Sequence, residues 1–204
     1  MRDQLLRRLE VVLYVAGLAC LATLLWTVSE RAWFQWRYRG ADSMPAPSGA
    51  ASPRRGPLGR IEIPRVGVSA VIFDGVEDRT LRRGVGHVPG TAYPGETGER
   101  IALAAHRDTF FRNLRLLRTG DMVRLVTHDI TETYRVETTK VVAPWRTDWI
   151  QPAREDVLTL VTCFPFSYVG NAPERFVVQA RRIARNETMT RNQARPSPSR
   201  RVSP

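Results

Sequence analysis

Residues 159 to 175, TLVTCFPFSYVGNAPER, hold the one cysteine beyond the first 30 residues, Cys163, with Arg175 twelve positions later. The thiolate is the nucleophilic form of cysteine. A neighbouring guanidinium favours that form and can hydrogen-bond an oxyanion formed on attack. Apolar, β-prone residues lead into Cys163 and follow Arg175, and the eleven residues between include Pro165, Gly170, Asn171 and Pro173, a loop composition. If the two flanking runs pair antiparallel, the last residue of one and the first of the next share a sheet edge. Thiol chemistry on an amide also needs an acid for the leaving group, usually histidine. His106 directly follows the apolar run 101–105, the position from which a strand end delivers a side chain to a site. His87, in a Gly/Pro-rich stretch, reads as a packing imidazole, and His128, in THDITE, as a solvated hairpin tip. The competing reading of Cys163 is a small buried hydrophobe.

The elements that must position these groups are short. In LGRIEIPRVGVSAVIF, Ile61 and Ile63 alternate with polar neighbours, and Val66, Val68 and Ala70 resume the alternation after a turn at Pro64. Residues 84 to 100 read as loop, and 101–105 as a buried strand. DTFFRNLRLLRTGD reads as a helix of one to three turns, with Asp108 as N-cap, Phe110, Leu114 and Leu117 on one face, and Gly120 as the stop. MVRLVT, TETYRVETTKVV, VLTLVTC and RFVVQARRI read as strands, so the pattern predicts a mostly β barrel or sandwich.

Residues 11 to 28 carry no charge, and as a helix they span about 27 Å, which predicts a transmembrane anchor. Bulky Leu24, Leu25 and Trp26 argue against a cleaved signal peptide. Arginines flank the run on both sides and leave orientation nearly tied. The expected organisation is a short N-terminal segment (1–10), the anchor (11–28), a juxtamembrane segment and linker (29–57), a catalytic domain (58–185) and an Arg/Ser/Pro-rich tail (186–204). The net charge of +11 does not call for a nucleic-acid groove, because residues 181–204 alone hold seven arginines against Glu187. Two distant cysteines give no disulfide framework, and with three scattered histidines no zinc pattern.

The blocks LGRIEIPRVGVSAVIFDG, RTLRRGVGHVPGTAYPGETG, ALAAHRDTFFRNLRLLRTGD and CFPFSYVGNAPERFVV, with TLVTC and Arg175, resemble sortases in order across residues 58–183, in the style of class D. The resemblance implies a closed β-barrel of about eight strands with one or two short helices behind a single transmembrane helix. It also implies a cysteine transpeptidase at the cytoplasmic membrane with its catalytic domain on the extracytoplasmic side. On that resemblance Cys163 is the nucleophile toward an LPxTG-like signal of secreted proteins. His106 is the acid and base, Arg175 positions substrate and stabilises the oxyanion, and an amine of the cell wall or a pilin is the acceptor. Thr162, Ala105 and Arg107 shape the site or touch substrate. Ala105 replaces the usual glycine, which is tolerated if the backbone there is extended and strained if it needs positive φ. No cofactor is implied. Calcium modulation, known in part of the family, stays open, with Glu96, Glu99, Asp129 and Glu132 as scattered oxygens. Two other readings remain: a thiol peptidase with water as its main acceptor, and a non-catalytic membrane-tethered β-domain.

Overall fold

The computed structural model describes residues 2–37, 56–151, 153–168 and 170–187. Eight strands close into one barrel: β1 (Pro57–Ile63), β2 (Val68–Asp74), β3 (Val85–His87), β4 (Ile101–Ala104), β5 (Met122–Val126), β6 (Ile130–Val142), β7 (Val157–Phe164) and β8 (Glu174–Glu187). Their order around the barrel is β1-β2-β3-β4-β7-β8-β6-β5, with β5 returning to β1. Neighbours are antiparallel except β2–β3 and β4–β7, which run parallel. Closure leaves no open sheet edge.

The alternation expected in the first two strands is present. Ile61, Ile63, Val66, Val68 and Ala70 all enter the core, and the turn at Pro64 is a 3-10 turn closed by Gly67 at φ 66°. Two expectations need correction. Residues 85–87 form β3 rather than loop. Gly86 is required there by a close approach, since a Cβ would collide with the Gly75 carbonyl and the Leu81 side chain. The segment after Asp108 is not an α-helix capped by that residue. It is a 3-10 helix over Arg112–Leu116 with no side-chain cap; Leu114 within it and Phe111 and Leu117 at its two ends are buried. That spacing of three is the 3-10 period, so Phe111 joins Leu114 and Leu117 in the core, and Phe110 is partly buried and packs against it.

A second helix, α2 (Asp78–Arg83), went unread in the sequence. It supplies the crossover that the parallel β2–β3 pair requires. Its signals were short but present: Asp78 in the first turn, Arg82 and Arg83 in the last, and the Asp78–Arg82 pair at i,i+4.

The N-terminal helix α1 runs Arg2–Arg37. Among the described residues no helix is long and apolar enough to cross a membrane; the side chains of 24, 26 to 28 and 30 to 37 lie outside that set. The expected bounds shift: α1 continues through 29–37 of the segment 29–57, β1 begins at Pro57, and β8 takes 186–187 of the tail 186–204, while residues 38–55 and 188–204 lie outside the described residues.

A charged cluster ties the barrel to its loops. The Glu132 carboxylate, 1 % exposed, accepts from Arg182 Nη1 (2.7 Å), the Tyr134 hydroxyl (3.1 Å) and the Gly95 amide (3.2 Å). Arg182 Nη2 pairs with Asp156 at 2.7 Å, and Asp156 in turn accepts from the Gly98 amide at 2.7 Å. Burial, then the adjacent Glu132 carboxylate, pushes the Tyr134 phenol far above its ordinary pKa and keeps it a donor. One guanidinium on β8 thus joins β6, the β3–β4 loop and the approach to β7. Glu132→Gln removes the charge opposite a largely buried arginine. We expect it to lower unfolding free energy by about 2–3 kcal/mol, read as a shift in the denaturant midpoint at unchanged slope.

Candidate active site

Strands β7 and β8 place the thiol and the guanidinium on one rung. Cys163 is the direct antiparallel partner of Arg175, and Val142 of β6 flanks Arg175 on its other side. Strands β4 and β7 run parallel with Ala104 opposite Val161, so two residues further on His106 comes level with Cys163. The parallel pairing continues past β4, because the Ala105 amide donates to the Val161 carbonyl (3.3 Å). Thr162 Oγ1 donates to the Ala105 carbonyl at 2.7 Å, fixing the chain immediately before the histidine.

The strand pleat decides which face these side chains share. Ile101, Leu103 and Ala105 of β4, Leu158 and Leu160 of β7, and Val178 and Ala180 of β8 fill the barrel core. Their alternating neighbours Ala104, Val161 and Val177 belong to a second apolar cluster with Trp149, on the outer face. His106, Cys163 and Arg175 each lie two residues beyond one of those three. They therefore belong to that outer face, where its apolar floor ends. Trp149, from the connection between β6 and β7, covers the floor, and its carbonyl accepts from Thr159 Oγ1 at 3.2 Å. This explains why β7 is buried from Val157 to Thr162 without alternation and is partly open only at Cys163 and Phe164.

Each remaining group has a defined setting. Arg175 Nη1 donates to the carbonyls of Ala172 (3.2 Å) and Glu174 (2.9 Å), which steadies the arm. Arg107 donates from Nη2 to the carbonyls of Tyr168 (2.6 Å) and Gly170 (3.0 Å), and its guanidinium lies 5.9 Å from the centre of the Tyr168 ring. It anchors the β7–β8 loop from the residue next to His106. Ala105 is buried in the core within a continued strand pairing, so its methyl group packs inward. Beneath the site Phe164, Phe166 and Phe176 form an aromatic group with ring centres 5.3 to 6.4 Å apart, and Phe166 and Phe176 pack on the core. No local sequence pattern marks this group. Phe164 and Phe176 sit one residue to either side of the Cys163–Arg175 rung, on the inward face of the pleat.

The other two histidines lie elsewhere. His87 is 1 % exposed on β3, with Nδ1 at 3.1 Å from Asp74 Oδ1, Nε2 at 3.2 and 3.0 Å from the carbonyls of Thr91 and Ala92, and Tyr93 stacked at 4.3 Å. It is a packing imidazole, held on a strand rather than in a loop. His128 sits at the β5–β6 turn with Nε2 3.5 Å from Asp129. Among the described residues no group of three His, Cys, Asp or Glu side chains could hold a metal ion. Glu132 is committed to Arg182, and Glu96 accepts from the Tyr93 amide at 2.8 Å. Cys163 and Cys20 are both free thiols.

A closed eight-stranded barrel with a cysteine, a histidine and an arginine at adjacent strand ends of its outer face defines a class, and comparison with known proteins agrees. The sortase domain family matches residues 61–183, and the chain belongs to the sortase family. It is 40 % identical to Sortase D of Bacillus subtilis over 126 residues, 61 % of this chain and 63 % of that protein, so the match spans under two thirds of the relative's length. Among solved structures it resembles Sortase D5 transpeptidase of Clostridium perfringens (24 % identity, 76 % of this chain and 99 % of that one, TM-score 0.63), a likeness of fold. It also resembles sortase C-1 of Actinomyces oris (28 % identity, 78 % and 98 % covered, TM-score 0.59).

Proposed function

We propose that the chain is a membrane-anchored cysteine transpeptidase that cleaves an LPxTG-like sorting signal after threonine and passes the acyl group to an amine. The observation that carries this reading is the shared outer face of His106, Cys163 and Arg175 at neighbouring strand ends. Cys163 Sγ attacks the threonine carbonyl, and Arg175 donates to the oxyanion through nitrogens other than Nη1. As the C–N bond breaks, His106 protonates the departing amine. The thioester then meets an incoming amine, His106 removes its proton, and the thiolate leaves. The apolar cluster that Trp149 covers ends beside the Cys163–Arg175 rung, where β7 becomes partly open.

The anchor reading rests on α1. On it Val11, Val12, Leu13, Val15, Leu18, Leu21 and Leu25 are 54 to 67 % exposed, and the charge-free run 11–28 to which they belong suits a lipid environment. The catalytic domain then faces the extracytoplasmic side, where secreted substrates and cell-wall or pilin amines are found.

Incubation with a labelled LPxTG-type peptide, with and without a small primary amine, tests the reading. An amine adduct that grows at the expense of hydrolysis supports it. Hydrolysis at an unchanged rate with no adduct would make the protein a peptidase, and no cleavage at all would remove the substrate assignment. In the same assay Arg107→Ala, which frees the β7–β8 loop from two carbonyl anchors, should raise KM for the peptide about three- to tenfold with a smaller change in kcat.

A further inference from the structure

His106 has a neighbour from outside the three strands. Its Nε2 stands 3.7 Å from Oδ1 of Asp78, on α2. Oδ2 of the same carboxylate is held by the Arg82 guanidinium one turn further along the helix. The carboxylate is thus oriented by its own helix and presents its remaining oxygen to the imidazole. The fold explains how α2 arrives there. Gly86 of β3 pairs with Ala104 of β4, so the antiparallel register, continued by two residues, brings Gly84 level with His106. Two glycines let the helix settle this closely. A Cβ at Gly84 would meet the Val71 carbonyl and the Phe73 ring, and one at Gly86 would meet the Gly75 carbonyl and Leu81. The C-terminal end of α2 is thus seated against β2 and β3, and Asp78 stands in its exposed first turn.

We propose that Asp78 is a positioning residue for His106: its carboxylate faces the ring at Nε2 and supports the positive charge that the ring carries whenever it has accepted a proton. This rests on the reading of His106 as the acid and base of the site. At 3.7 Å the contact is longer than a hydrogen bond, as expected for an electrostatic partner that draws in when the imidazole is charged. Nδ1 is then the nitrogen that exchanges protons with the thiol and with the amines. During acylation the ring becomes charged as it takes the thiol proton, and it loses that charge on protonating the leaving amine. During transfer it becomes charged again on taking the proton of the incoming amine. Asp78 faces the ring at both moments, so both halves of the reaction depend on it. At 64 % exposure the carboxylate is screened by solvent, which keeps the effect modest and salt-sensitive.

The test uses the full chain carrying Cys20→Ser, so that thiol labelling reports on Cys163 alone. Two rates are compared in wild type, Asp78→Asn and Asp78→Glu: iodoacetamide alkylation, and steady-state transfer of an LPxTG-type peptide to an amine. Asp78→Asn should slow both by about three- to tenfold, with KM for the peptide within about twofold of wild type. Asp78→Glu should recover most of the loss, and added salt should narrow the gap between Asn and wild type. Equal rates in Asp78→Asn and wild type would overturn the proposal. So would a Glu variant that falls as far as Asn together with a lowered melting temperature, since that pattern marks a purely structural role. If wild type alkylates quickly but does not turn over the peptide, the substrate assignment fails while alkylation still decides the role of Asp78.

Discussion

Cys163→Ala should abolish peptide cleavage and amine transfer, a loss on the order of 10⁵-fold or more, and leave the barrel folded. The size of the effect follows from chemistry: without a sulfur at this rung there is no atom to carry the acyl group, and no other thiol is placed to substitute. Stability should hardly change. Cys163 is only half-buried, and its replacement removes one atom at the open end of β7 while the backbone pairing with Arg175 persists. Activity and far-ultraviolet circular dichroism on the same sample check both halves. A variant that still cleaves would place the nucleophile elsewhere. A variant that unfolds would return Cys163 to the role of core filler.

Arg175→Lys should be the second largest effect, a fall of about 10²- to 10³-fold in kcat/KM. Lysine keeps the positive charge, so a substitution that tested charge alone would be mild. The arginine does more. Nη1 is used to fix the arm on the Ala172 and Glu174 carbonyls, and in the proposed mechanism the other nitrogens serve the oxyanion. An ammonium on a flexible stem cannot be held by one donor and present others in a planar fork. The fall should therefore appear mainly in kcat. A rise in KM with kcat preserved would instead mean that Arg175 grips the ground-state peptide.

Which parts of this site were legible before the structure depends on how local they are. The hairpin of β7 and β8 is local: two β-prone runs and a loop rich in proline and glycine brought Cys163 and Arg175 to one edge, and the structure sharpens that to one rung. His106 was placed by its strand end alone. Its level with Cys163 comes from a parallel pairing between segments 57 residues apart, bridged by Thr162 and Ala105, which no local pattern encodes. The outer-face floor was hidden for a related reason. Val161 and Val177 look like core residues of a one-sided strand, and only the Trp149 segment folded over them reveals that β7 is covered on both faces. Phe111 was hidden by its period: three residues per turn and 3.6 diverge by one position within a single short helix. Asp78 was out of reach because a six-residue crossover gives little periodicity, and its seat depends on glycines whose need is visible only in contact.

The central claim is that an acyl group passes through Cys163. The most direct measurement is the intact mass of the protein after brief exposure to an LPxTG-type peptide without amine, followed by proteolytic mapping. The protein should gain a mass equal to the peptide fragment ending in threonine, located on Cys163 and discharged on adding a primary amine to give the amide. Cleavage that proceeds with no adduct on Cys163, or with the adduct on another residue, would contradict the central claim.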